Sequence, residues 1–173
     1  MSFLNIGGNK RWEVTFSKIP ISLADLQTLP EASLKEPYYA AALLIPALRL
    51  WPENKDEAIN MINYLRGPGP MSPYDIQFIS ERLRGYEYIA NSFFNGASPE
   101  NGYEPKPPYI VVVSSVPNSF AEDGYGILYL QSGGADSPRP VKLRKKPSTG
   151  EWFLTDQMLL SQIRIPVSAD PWA

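Results

Sequence analysis

Hydrophobic and polar positions alternate most regularly in the last third of the chain. Arg139 to Lys145 places Val141 and Leu143 on one side and Lys142 and Arg144 on the other, the period-two pattern of a strand with one wet face. Tyr125 to Leu130 is a second β-rich run, separated from the first by a loop of Gly, Ser, Asp and Pro, and Trp152, Phe153 and Leu154 follow a Ser-Thr-Gly turn. Together Gly124 to Asp156 predicts three antiparallel strands with one face to be covered. Ile110 to Val113 opens the same sheet, and Trp12, Val14 and Phe16, alternating with Glu13 and Thr15, predict an N-terminal strand that Pro20 ends and that can add at the sheet edge.

Between these strands the period changes to that of helices. Ser22 with Asp25 starts a short helix bearing Leu23, Leu26 and Leu29, consistent with an end at Pro30. From Pro37 to Trp51 the chain is apolar on almost every side, which predicts a central helix buried all round, bent at Pro46 because the ring removes the bond to Ala42. Asn54 with Glu57 caps the next helix, whose stripe is Ala58, Ile59, Ile62 and Leu65 and whose stop is Gly67. After the stiff Pro68-Gly69-Pro70 turn, Ser72 and Asp75 start a helix with Ile76, Ile79 and Leu83 inward and Gly85 after it. These last two helices are expected to form an antiparallel pair. Tyr86 to Phe94 predicts one more short helix, and the Pro-rich stretch that follows reads as a crossing loop.

The predicted class is therefore α+β, a helical N-terminal half packed on a C-terminal antiparallel β-meander, in a single domain over 1–173. Its parts are an N-terminal strand segment (1–21), a helical part (22–95), the crossing loop (96–109), and the sheet with its tail (110–173). At 173 residues such a domain buries roughly 70% of its unfolded surface, enough for a self-sufficient core.

Composition narrows the chemistry. There is neither Cys nor His, so disulfides, thiolate chemistry, Cys- or His-based metal sites and the commonest general base are excluded; no cofactor is expected. Sixteen basic residues against eighteen acidic give a net charge of −2, not a nucleic-acid footprint. The start of the chain has no secretory-leader pattern, and the longest apolar run, Tyr38 to Leu48, falls short of the roughly 20 residues of a membrane helix. A cytoplasmic protein with no membrane and no nucleic-acid partner is expected.

Nucleophile-elbow, dinucleotide and P-loop signatures are absent from the sequence, and its carboxylates are dispersed. No catalytic and no metal-ligating residue is assigned. The most unusual loop is Ser132 to Arg139, where Gly133 and Gly134 could present N–H groups as an anion nest with Arg139 as fork donor and Asp136 as acceptor. Turn chemistry accounts for the same residues, with the glycines at positive φ and Asp136 in an Asx-turn. A second candidate surface is aromatic and Arg-rich: Arg84, Tyr86 and Tyr88, continuing through Phe93, Phe94 and Tyr103, which equally has the composition of a core seam. The run Lys142 to Lys146 could meet phosphates or an acidic partner, or could be a solvated strand face whose charge blocks edge-to-edge aggregation.

Over most of its length the chain resembles an uncharacterised bacterial family of small proteins, a domain of unknown function. The resemblance rests on LRGYEY, SFFNGASPENGYEPKPPY, SGGADSPRPVKLRKK, Trp152 and the closing DPWA. It implies a cytosolic bacterial protein and brings no catalytic residues. Helices followed by a meander with a Trp in the last strand also look like the cone-shaped folds of the nuclear transport factor type. The expected function is a non-enzymatic protein-binding or assembly module. The alternative is a small-molecule-binding enzyme or sensor with a pocket between helices and sheet, and a cavity where an Asp or Glu and a Tyr converge separates the two.

Overall fold

The computed structural model describes residues 9–173. The leader reading rests on residues outside that range. The chain runs through β1 (Lys10–Phe16), α1 (Leu23–Gln27), α2 (Pro37–Leu50), α3 (Lys55–Arg66), α4 (Pro73–Leu83), α5 (Tyr88–Asn91), β2 (Tyr109–Ser115), β3 (Tyr125–Leu130), β4 (Arg139–Lys146) and β5 (Glu151–Gln157). Helices and one five-stranded antiparallel sheet make it α+β, with the strands in the order β1-β2-β3-β4-β5.

Alternation fixes which face of the sheet is covered. Val14 stands opposite Val111, Trp12 opposite Val113, Leu128 opposite Val141, and Leu143 opposite Leu154. Cross-strand partners share a face, so these residues form one apolar surface. The helix α2 lies over it, reaching all five strands. Its residues from Ala40 to Leu48 are all buried, which is why no amphipathic stripe is visible in that stretch. Pro46 sits inside α2, within the helical span. Trp152 shares the covered face with Leu143, and its backbone N–H donates to the Leu34 carbonyl oxygen at 2.8 Å.

Local chemistry sets the helix starts. Ser22 Oγ accepts from Asp25 N–H, and Asn54 Oδ1 accepts from Glu57 N–H. Ser72 and Asp75 form a reciprocal capping box. On α3 the buried residues are Ala58, Met61, Ile62 and Leu65, while Ile59 lies half-buried at the margin. Pro30 does more than end α1, since it opens a 3₁₀ turn over Pro30–Ser33.

Two expectations are corrected here. The α3–α4 pair does not close: α3 packs on α2, and a cavity lies between α4 and the layer formed by α2, α3 and β5. The linker sets this arrangement: Arg66 Nε donates to the Gly69 carbonyl at 2.8 Å and Met71 N–H donates to Asn63 Oδ1 at 2.8 Å, so the proline-flanked turn is tied to the last turn of α3 and fixes where α4 starts. The run Lys142 to Lys146 does not guard a sheet edge, because β4 is an interior strand and β5 is the edge.

The capping box supplies a pH prediction. Asp75 accepts the Ser72 N–H at 2.8 Å, which holds its carboxyl below the usual carboxylate range, with Arg66 assisting. A carboxyl more acidic folded than unfolded stabilises the fold in full above its unfolded value, and loses that contribution as pH falls through its folded value. Because Asp75 is partly exposed, Asp75→Asn should cost less than about 1 kcal/mol at neutral pH. Urea midpoints should converge for the two proteins below about pH 4. A gap of unchanged size at pH 3 would contradict the assignment.

Candidate functional site

The loop after β3 is built into the fold. Gly133 N–H donates to the Ser92 carbonyl at 2.8 Å, Ser132 Oγ donates to Ser92 Oγ at 2.8 Å, and Gly134 N–H donates to Ser132 Oγ at 3.1 Å. The Gly134 carbonyl accepts from Arg164 N–H at 2.9 Å, tying the C-terminal segment across the loop. Both glycine N–H groups thus have internal partners. Neither glycine has positive φ, contrary to expectation; each is there because another chain segment passes too close for a Cβ. At Gly133 that segment is the Ala97 backbone, and at Gly134 it is the Tyr103 hydroxyl.

Arg139 does not present a free fork. Its Nη1 donates to the Ser137 carbonyl at 3.2 Å and its Nη2 to the Gln162 carbonyl at 3.0 Å, while Nε is buried with no partner. Asp136 is corrected too: instead of an Asx-turn, its Oδ1 accepts from Arg164 Nη1 at 2.8 Å. Both side chains of that pair are exposed, so it adds little to stability.

The aromatic stretch joins this loop through Tyr103. Tyr88 stacks on Tyr103 with centroids 5.4 Å apart, and Tyr86 meets Tyr88 edge-on at 6.2 Å. Tyr103 is fully buried and donates its hydroxyl proton to the Arg164 carbonyl; burial pushes its pKa up to about 12. Phe93 and Phe94 are buried as well, so this part of the stretch is a seam between α5, the crossing loop and the tail. Tyr86 and Arg84 remain exposed, and Tyr88 is half-buried.

A recess between helices and sheet lies elsewhere. Between α4 and the α2–α3–β5 layer is a cavity of about 190 Å³. Leu44 and Leu48 of α2, Ile62 of α3, Ile79 of α4 and Leu154 of β5 form its apolar wall, with Met71 and Phe78 beside them. Arg66, Tyr74, Asp75, Asp156 and Gln157 supply its polar groups. Arg66 and Asp75 approach to 3.8 Å, and Asp75 is also held by the Ser72 N–H. Asp75, Asp156 and Tyr74 therefore all border one recess between helices and sheet, with Tyr74 and Asp156 largely exposed. None of these residues was singled out from the sequence as a site residue. The available signal was the stiff Pro68-Gly69-Pro70 turn, which separates two amphipathic helices that could otherwise pack directly.

Among the described residues no group of His, Cys, Asp and Glu could hold a metal ion, and no helix is long and apolar enough to cross a membrane. A family model matches residues 18–167, with the description Domain of unknown function (DUF6935). No curated protein and no solved structure matches the chain.

Proposed function

The chain belongs to that family of domains of unknown function, and from its own geometry we propose that it is a small-molecule-binding domain whose ligand enters the cavity between α4 and β5. The carrying observation is a recess with an apolar wall and a polar set of both charge signs. An apolar cavity near 150 Å³ accommodates about one benzene ring, so the 190 Å³ here suits a ring or short branched chain with one further group. Since Arg66 is offset by Asp75, and Asp156 adds a carboxylate, the polar set recognises hydrogen-bonding groups better than a net anion. The ligand class is an uncharged compound with an apolar body and one hydrogen-bonding end. Asp75 is already engaged by Ser72 and Arg66, which supports binding over proton transfer.

A second reading, a protein-docking module, is supported by the uncovered face of the sheet. Tyr125 and Ile127 are exposed there, beside half-buried Ile110 and Tyr129. Lys142 and Arg144 stand opposite Ile127 and Tyr125 on that face, so the occupant that fits is a protein surface with apolar and acidic groups, and Ile127→Glu should weaken such a complex in sedimentation while leaving the melting temperature unchanged. The bacterial, cytoplasmic setting and the likeness to cone-shaped folds of the nuclear transport factor type stay part of this proposal. A helical layer over one sheet face with a recess near the edge strand supports the second of these.

The test is a titration of the ¹⁵N-labelled chain with phenol and benzyl alcohol. Saturable shifts at residues of α4 and β5 are expected, with Kd of roughly 0.1–1 mM, the range open to about eight heavy atoms. Ile79→Phe should abolish the response by filling the space, with stability changed by less than about 1.5 kcal/mol. Shifts without saturation, or an unaltered response in Ile79→Phe, would sink the proposal.

A further inference from the structure

On the other side of Arg66 lies a second recess, a cleft of about 480 Å³ between the Pro68–Gly69 turn and the β4–β5 hairpin. The turn rests on the hairpin: Gly67, the glycine cap that ends α3 at φ +58°, also lies so close to the Phe153 ring that a Cβ would run into it. Four cationic residues line the cleft, Arg66, Arg144, Lys145 and Lys146, and no carboxylate does. Arg144, Lys145 and Lys146 enter none of the ion pairs among the described residues, whereas Arg66 has only the 3.8 Å approach of Asp75 from the far side.

Like charges gathered in one cleft repel one another, the opposite charge nearest them in strand register being Glu151 across from Lys146, and in an interior strand they are not explained as protection of a sheet edge. Arg144 is held in place, its guanidinium 5.3 Å from the Tyr125 ring centroid, whereas Lys145 Nζ turns to the other face of β4, 5.9 Å from the Trp152 centroid. Arg66 is oriented by its bond to the Gly69 carbonyl. Guanidinium forks with ammonium groups around one cleft match the several oxygens of a phosphate. Phe153 and the flanking prolines Pro68 and Pro147 offer an apolar wall for whatever carries that phosphate.

We propose that this cleft binds a small organic phosphate, with its phosphate among Arg66, Arg144 and Lys146 and its body against Phe153. The size falls in the usual range for small-molecule sites, about 300–1,000 Å³. The chain's net charge of −2 opposes a long polyanion, which favours a compact ligand over a nucleic acid.

The test uses the full chain, ¹⁵N-labelled, at low ionic strength, with inorganic phosphate and phenyl phosphate as probes and an oligo-aspartate peptide and a short DNA duplex as competitors. Saturable shifts at 67–69, 144–147 and 153–155 are expected for both phosphates, with phenyl phosphate the tighter by about threefold or more, a contribution near that of one partly buried ring contact. The double variant Arg144→Gln, Lys146→Gln should lose about tenfold in phenyl phosphate affinity, with unchanged melting temperature, because both side chains are exposed. Its response to phenol should be unaltered, which separates this site from the cavity behind Arg66. Equal affinity in the double variant, shifts spread outside the cleft, or occupancy by the peptide or DNA but not by phenyl phosphate would each overturn the proposal.

Discussion

Ile45→Asp should abolish cooperative folding or cost more than about 4 kcal/mol, because it places an unpaired carboxylate where no water reaches. Ile45 is fully buried in α2, the one helix that reaches every strand. It does not line the cavity beside α4, so the charge has no recess in which to hydrate, unlike one placed at Leu44. Ile45→Val is the control, and should cost about 1 kcal/mol with an unchanged denaturant slope. Urea unfolding followed by circular dichroism measures both. A soluble Ile45→Asp protein with the wild-type midpoint would show that α2 does not organise the core.

Gly133→Ala should cost about 3 kcal/mol, more than a methyl group normally does in a loop. The new Cβ falls within the van der Waals shell of the Ala97 carbonyl oxygen, and that atom belongs to backbone, which cannot swing aside. If the loop retreats instead, it gives up the Gly133 bond to Ser92 and strains the Ser132–Ser92 hydroxyl pair, both buried. Gly85→Ala is the comparison, since Gly85 has φ +78° with open space around it and should cost only about 1 kcal/mol of left-handed strain. A larger loss at Gly85 than at Gly133, in thermal melts of the two variants, would mean that the close approach to Ala97 does not matter.

That contrast shows which features a sequence carries. Elements set by neighbours along the chain were legible: the caps at Ser22, Asn54 and Ser72, the alternation of Trp12, Val14 and Phe16, and the strand Tyr125–Leu130. What depends on segments far apart was not. Gly133 is glycine because of Ala97, and Asp136 finds its partner in Arg164 of the tail, whereas Gly67 was legible as the stop of α3. A Gly-Gly pair in a loop has the same composition whether it needs positive φ or lets another strand of chain pass, and only the second applies here.

The candidate site failed to show for the same reason. Of the predicted stripes, Ala58, Ile62, Leu65, Ile79 and Leu83 are buried while Ile59 and Ile76 are only half-buried, and whether two inward faces meet depends on the linker between their helices. Arg66 and Asn63 fix that linker through Gly69 and Met71. The result is a recess where a packed pair was expected, lined partly by Leu154, Asp156 and Gln157 from an edge strand much later in the chain. The loop and tyrosines that stood out by composition are instead tied largely to one another through Tyr103 and Arg164.

The central claim is that the space between α4 and β5 takes up a ligand, and the most direct test is contact between the two. With Ile and Leu methyl groups selectively labelled and benzyl alcohol present near saturation, intermolecular nuclear Overhauser effects should connect the ring protons to Leu48, Ile62, Ile79 and Leu154. They should be absent for Ile45 and Leu128, which are buried outside the cavity. Contacts to the outer-face methyls of Ile127 and Ile110, with none to Ile62 and Ile79, would contradict the claim and move the binding surface to the uncovered side of the sheet.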